Sequence, residues 1–278
     1  MSKVWFITGA SRGIGLEIAK AALEAGDSVV ASGRDVRQFA QHFEAYGEQA
    51  RCVALDVSRA EQIEAAVAEA VTAFGRIDVL VNNAGYGQLG NFEEIAPEDI
   101  ELQFATNVYG LMNVTRQVLP IMRQQRSGRI FNLSSIGGVV GFAGGSVYCA
   151  TKFAVEGFSA SLALEVERFG IQVSVIEPGF FRTDFLDSTS VRYGGKVIKD
   201  YLENSTSVAQ AFGQYHRNQA GDPVKLGAVV VKLASMARQP AQFGAGSDAV
   251  EYLTTTLEQR LEVVRANAPL SMGTDGDF

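Results

Sequence analysis

The chain opens with a short apolar run, Val4-Trp5-Phe6-Ile7-Thr8, that passes directly into Gly9-Ala10-Ser11-Arg12-Gly13-Ile14-Gly15. A helix-like pattern then runs to Ala25 and stops at Gly26. No other stretch restricts the possible folds as much. Strand, glycine loop and helix in that order build a cradle for a diphosphate. The glycines let the backbone turn sharply and approach the phosphates, and the helix N-terminus presents free N–H groups and a positive dipole end. The spacing Gly9, Gly13, Gly15 differs from the G-x-G-x-x-G of the commonest dinucleotide fingerprint.

Further apolar runs end at Ala31, Leu55, Asn83, Leu133 and Glu177, with helical periodicity between them. That alternation predicts an α/β fold, a parallel sheet with helices on both faces. The 278 residues are read as a single domain, residues 1–278, since sheets of this kind form one core at such lengths. The period fades between Phe185 and Ala220 into aromatics, Ser, Thr and Asn, and residues 185–220 are expected to be a substrate lid. Helices are expected over Pro223–Met236 and over Ala249–Ala266. The second carries Val250, Leu253, Leu257, Leu261 and Val264 on one face for packing against the core or a sister subunit. Residues 267–278 read as a loose tail.

Composition narrows the function classes. A net charge of −7 without a Lys/Arg run argues against nucleic acid or an anionic membrane as partner. No uninterrupted apolar segment reaches the ~18 residues of a membrane span, and the first strand begins without a leader-like apolar stretch, so a cytoplasmic location is expected. Cys52 and Cys149 are too few for a disulfide framework and read as reduced thiols. His42 and His216 lack any metal-ligand spacing, so no metal site is expected.

Chemistry enters with Tyr148-Cys149-Ala150-Thr151-Lys152, where Tyr and Lys four residues apart share a helix face. A free phenol has a pKa near ~10, and an adjacent ammonium is expected to lower it into a useful range. Alone, such a pair is usually a solvated surface feature. Here Ser135 precedes Tyr148 by thirteen residues and closes an apolar run, Ile130 to Leu133, at a strand's C-terminal end, where open α/β sheets bind ligands. A serine-hydrolase reading of Ser135 fails because Ser135 does not sit in a G-x-S-x-G elbow and neither histidine has a motif tying it to the serine.

The ordered set Thr8 to Gly15, Asn82-Asn83-Ala84-Gly85, Asn107, Ser135, Tyr148, Lys152 and Pro178-Gly179 resembles the short-chain dehydrogenase/reductases, strongly over residues 3 to 184. Gly221-Asp222-Pro223 and Gly246 to Ala249 resemble the hydroxysteroid-dehydrogenase-like branch. The resemblance implies a doubly wound Rossmann-type sheet. It further implies Tyr148 as general acid/base, Ser135 bonding the reacting oxygen, Lys152 serving both Tyr148 and the nicotinamide ribose, and Asn107 holding a water that links Lys152 to solvent. Asn83, Ala84 and Gly85 would close over the adenosine ribose, and Asp56-Val57 would contact adenine. Pro178, Gly179, Phe181 and Thr183 would hold the nicotinamide carboxamide. Gly9, Ser11, Arg12, Gly13, Ile14 and Gly15 form the diphosphate loop. Asn107 in a helix-like stretch is expected to distort the backbone locally.

The second strand's end sets the cofactor. An NAD site usually carries a carboxylate there for the ribose 2′-hydroxyl, whereas this chain has Gly33 followed by Arg34, with Asp35 beyond. Arg34 and Arg12 offer charge-assisted forks to a 2′-phosphate, so NADP(H) is expected over NAD(H). The expected activity is a carbonyl reductase, equally an alcohol dehydrogenase in reverse. Phe142, Phe180, Phe185, Tyr193, Tyr201, Phe212 and Tyr215 point to an apolar or aromatic small-molecule substrate. The alternatives are a non-catalytic dinucleotide-binding redox sensor and an NAD-dependent sugar-nucleotide epimerase or dehydratase. A homo-oligomer is expected from the resemblance.

Overall fold

The computed structural model describes residues 2–186, 190–202 and 219–276. Its centre is a seven-stranded sheet built from β1 (Val4–Ile7), β2 (Ser28–Gly33), β3 (Ala50–Ala54), β4 (Val79–Asn82), β6 (Gly128–Leu133), β7 (Ile171–Pro178) and β9 (Gln242–Ala245). The spatial order is β3-β2-β1-β4-β6-β7-β9, with every neighbouring pair parallel. The chain winds outward from β1 to β3, returns to the centre at β4, and then winds the other way. Between β1 and β4 the direction of winding reverses, and the crevice beyond their C-terminal ends is where such sheets bind ligands.

Alternation along the strands explains the three layers. Trp5 and Ile7 join one core with α1 (Gly13–Glu24) and α6 (Pro223–Ala234), while Phe6 between them faces the other core. That second core is formed with α2 (Ala60–Phe74), α4 (Leu111–Gln125) and α5 (Ser146–Val166). Helices α1 and α6 approach closely because Gly227 has no side chain; a Cβ there would lie 2.5 Å from the Glu17 carbonyl oxygen. Asp222 caps α6 by accepting a hydrogen bond from Val224 N at 2.9 Å, and Pro223 opens the helix.

A second, two-stranded parallel sheet pairs β5 (Gly87–Leu89) with β8 (Val191–Tyr193) and lies over the crevice. Within the segment expected to be a lid, the described residues show β8 and short 3₁₀ turns at Asp184–Leu186 and Lys199–Tyr201; residues 187–189 and 203–218, with Phe212, Tyr215 and His216, lie outside them. α3 (Pro97–Phe104) runs into a π-helical turn, Ala105–Gly110, and then α4. The distortion expected at Asn107 is therefore present, and π turns gather at functional positions.

The last helix corrects one expectation. α7 spans Ser247–Met272 and passes through Pro269, so residues 267–272 are helical rather than loose. Its apolar stripe is not core either: Ala249 and Leu253 are buried, while Val250, Leu257, Leu261 and Val264 are about half exposed or more.

Candidate active site

The floor of the crevice is made mostly by backbone. Gly9 and Gly13 adopt φ of 66° and 58°, the left-handed region that favours glycine. Thr8 Oγ1 accepts from Asn83 N and Ala84 N, each at 3.0 Å, and Asn83 Nδ2 returns two bonds to Thr8 O at 3.0 Å and Gly9 O at 2.8 Å. The glycine loop and the Asn82-to-Gly85 loop are thereby joined into one surface. Arg12 occupies the N-cap of α1 without a side-chain cap, which leaves the helix's first N–H groups directed at the crevice. Gly15 does not line the crevice; it lies beneath, where a Cβ would meet Asn83 Nδ2 and stand 2.5 Å from Gly9 O. Its part is to bring α1 against the loop.

At the edge of the floor, Asp35 is withdrawn from ligand contact. Its carboxylate accepts from Arg37 Nε and Nη2, both at 3.0 Å, and from Arg37 N at 3.1 Å, which holds its pKa below the usual carboxylate range. Gly33 packs against the Phe39 ring, 2.8 Å from where a Cβ would stand. Arg34 is exposed and lines the crevice. Burial raises the Asp56 carboxyl, but hydrogen bonds from Ser58 and the charges of Arg34 and Arg59 outweigh it and leave the group net lowered. Arg12 lies in the same cleft, yet its Nη2 is 2.5 Å from Ser190 Oγ, on the segment that enters β8.

The catalytic candidates converge past the end of β6. Ser135 caps a short turn there, its Oγ accepting from Gly137 N at 3.1 Å, and it hydrogen-bonds Tyr148 in the first turn of α5. Lys152, one turn on, donates from Nζ to Leu133 O at 2.7 Å and stands 5.8 Å from the Tyr148 ring centroid. Tyr148 is buried, with Phe185 and Phe142 rings at 5.7 Å and 6.5 Å. This environment corrects the expectation that Lys152 lowers the phenol. Burial dominates and pushes Tyr148 up to about 12, with Ser135 pulling weakly the other way, while burial drives Lys152 down to about 8.

Asn107 does not line the cleft. Its Oδ1 accepts from Tyr86 N at 3.1 Å, and its Nδ2 donates to Tyr86 O at 2.9 Å and to Thr151 Oγ1 at 3.2 Å. Thr151 Oγ1 in turn bonds Tyr148 O at 2.7 Å. The amide thus ties β5's entry to the turn of α5 that carries Tyr148.

At the end of β7, Pro178, Gly179, Phe181 and Thr183 line the cleft, and Thr183 faces Gly13 across it. Asp248 at the start of α7 fixes this loop, accepting from Phe180 N at 2.7 Å and from Ala249 N at 2.9 Å. Sequence reading assigned Asp248 no task; the Gly-Ser-Asp-Ala cap pattern was the available signal. All the predicted site residues except Gly15 and Asn107 lie along one cleft of about 770 Å³. Of the predicted aromatics among the described residues, Phe142, Phe180 and Phe185 line it, while Tyr193 and Tyr201 do not; Tyr86 and Tyr252 line it unforeseen. Among the described residues no three His, Cys, Asp or Glu side chains gather as a metal site, and no helix is long and apolar enough to cross a membrane.

Residues 3–193 match the family model described as short chain dehydrogenase. The chain belongs to the short-chain dehydrogenase family. It is 42% identical over 253 residues to oxidoreductase BOA17 of Botryotinia fuckeliana (91% of this chain, 92% of that one). It is 36% identical over 244 residues to a 3-ketodihydrosphingosine reductase of Bacteroides thetaiotaomicron (88% of each chain). A short-chain dehydrogenase from Streptomyces avermitilis superposes with a TM-score of 0.91 at 37% identity, covering 99% of this chain and 100% of that one. Among less similar solved structures, either cofactor is found. A serine dehydrogenase complexed with NADP+ matches with a TM-score of 0.75, 28% identity and 86% and 93% coverage. A Brucella melitensis 3-ketoacyl-(acyl-carrier-protein) reductase complexed with NADH matches with a TM-score of 0.73, 25% identity and 87% and 95% coverage.

Proposed function

We propose that this short-chain dehydrogenase is an NADPH-dependent carbonyl reductase that works on apolar ketones or aldehydes, and on the corresponding alcohols in reverse. The observation that carries this reading is the meeting of Ser135, Tyr148 and Lys152 in the same cleft as the glycine loop. A redox sensor has no use for a buried acid beside a serine and a lysine. An epimerase or dehydratase finds no support in the names of the relatives above.

The residues fit a dinucleotide. Gly9, Ser11, Gly13 and Ile14 with the open start of α1 suit the diphosphate, Asp56 and Val57 suit adenine, and Asn83 to Gly85 suit the ribose. Arg34 supports NADPH over NADH, because the Asp35 carboxylate that follows it is paired with Arg37 and does not line the cleft. When bound, the nicotinamide supplies or accepts the hydride.

The protein's own residues handle the proton. Tyr148 at about 12 is a neutral phenol at pH 7, suited to donate to an alkoxide forming at the substrate carbonyl, with Ser135 bonding the same oxygen. Lys152 at about 8 is mostly ammonium at pH 7 and stabilises the phenolate left behind. Asn107 acts on Tyr148 through Thr151 and on the cleft wall through Tyr86, so its part is to position. Phe142 and Phe185 beside Tyr148 support an apolar or aromatic substrate. We read the chain as one domain, and the exposed stripe on α7 supports a homo-oligomer. The test is NADPH oxidation, followed by absorbance, against ketones, aldehydes and quinones; a chain that binds NADPH and turns over none of them refutes the reading.

A further inference from the structure

Beneath the catalytic pair lies a carboxylate that the reaction above does not use. Glu156 stands one turn of α5 beyond Lys152, so that Tyr148, Lys152 and Glu156 follow each other along one helix face. Its Oε2 accepts from Gln242 Nε2 on β9 at 3.4 Å. Its other oxygen, Oε1, is buried beside the Ser134 hydroxyl, which hydrogen-bonds the carboxylate. Gly138 makes room for both, since a Cβ there would collide with Ser134 Oγ and stand 2.9 Å from Glu156 Oε1. A buried carboxylate with only two neutral donors is still costly unless a cation compensates its charge.

We propose that Glu156 is a positioning residue for proton transfer: its carboxylate supplies the field that keeps the buried Lys152 ammonium charged. The inference rests on the assignment of Tyr148 and Lys152 as the proton-transfer pair. Every group around the lysine is consistent with it. On α5, Tyr148 and Cys149 are acids whose pKa burial raises; burial raises the Glu156 carboxyl too, but Ser134, Gln242 and the Lys152 charge pull it the other way. From the β6 end come the Leu133 carbonyl and the hydroxyls of Ser134 and Ser135. From β7 comes Glu177, buried and pushed up to about 7 by desolvation and by the Glu156 charge; from β9 comes the neutral Gln242, and Asp248 is engaged with Phe180 N and Ala249 N. Burial works against the Lys152 charge, and Glu156 is the group whose charge works for it. Glu177 reaches the lysine only through Glu156. As pH falls through about 7 it takes up a proton, which removes a like charge and leaves Glu156 as the anion of the pair.

The test reads the lysine directly, without needing turnover. Competitive labelling of Lys152 with acetic anhydride across pH, read by mass spectrometry, gives the pKa of the ammonium in the intact protein. Glu156→Gln keeps the side chain's shape and should lower that pKa by about one unit, and Glu156→Asp should recover part of the shift. Glu177→Gln should leave it nearly unchanged. An unshifted lysine in Glu156→Gln, or an equal shift in Glu177→Gln, overturns the proposal. Failure of the reductase reading would appear separately, as a wild type that labels as expected yet reduces no carbonyl compound.

Discussion

The floor and the roof of the cleft are built on different principles. The floor, from the glycine loop across Asn83 to the ends of β6 and β7, is backbone held by short reciprocal bonds such as those between Thr8 and Asn83. The roof is two three-residue strands, β5 and β8, that touch the floor through the side chains Leu89, Val191 and Phe185 around Tyr148. A surface of backbone offers few ways to change without breaking, whereas a surface of side chains can be varied one residue at a time. The floor therefore suits the invariant part of a reaction, and the roof suits the choice of substrate.

The sharpest break of this contrast would come from the floor. Tyr148→Phe keeps the ring packing, removes the acid, and should cut turnover by about 10² or more while NADPH still binds. Stopped-flow reduction combined with a cofactor titration measures both, and near wild-type turnover would remove Tyr148 from the mechanism. Gly15→Ala forces a Cβ onto Gly9 O and Asn83 Nδ2, so dinucleotide affinity should fall by roughly tenfold or more with a stability loss of about 1–3 kcal/mol. Urea melts and calorimetric titration test it together.

Arg34→Gln should weaken NADPH by about tenfold, near the ~1.5–3 kcal/mol of a charge-assisted bond, and leave NADH almost unaffected. Equal loss of both cofactors would make Arg34 an ordinary surface residue. An Asp at Gly33 is a poorer probe than the sequence indicates, because its Cβ meets Phe39 before its carboxylate meets any ligand.

The pH dependence follows from a depressed lysine. Lys152 loses its proton as pH rises through about 8, so the reductive rate should be level below that value and decline above it. The oxidative rate should rise with pH, since it begins from an ionised Tyr148. A reductive profile flat to pH 10 would contradict this.

The smallest effect is expected in the roof. Arg192 lies 5.2 Å from the Tyr86 ring centroid and lines the cleft, and Arg192→Met should alter KM for bulky ketones several-fold with kcat held within about threefold. A kcat loss matching that of Tyr148→Phe would erase the distinction between floor and roof.

Legibility in the sequence follows the same division. Six strands were expected to end at Thr8, Ala31, Leu55, Asn83, Leu133 and Glu177, and they end within two residues of those positions. Long apolar runs buried on both faces leave a strong signal. β5, β8 and β9 were not legible, because strands of three or four residues such as Gly-Gln-Leu or Gln-Phe-Gly-Ala carry no period. The glycine loop could be read because its geometry needs particular residues at particular spacings. The pairing of Tyr148 with Lys152 could be seen but not the direction of the phenol's net shift, since the burial that dominates it is completed by Phe185 and the roof, which are distant in sequence. Glu156 had a signal in the four-residue continuation from Lys152, but its burial depends on Gly138 and Ser134. The α7 stripe was seen correctly as apolar. Periodicity does not say what covers it.

The pairing of Gly87 with Val191 also bears on the order in which this chain assembles. The roof closes a loop of about a hundred residues for the sake of three-residue strands, at an entropic cost of roughly 4 kcal/mol if the intervening chain were loose. That cost disappears only after β6, α5 and β7 have folded and brought the two ends together. The roof is thus expected to form last during folding and to exchange its amide hydrogens first in the native state. A substrate would then enter through the part of the molecule that folding completes last, while the cofactor cradle beneath stays intact.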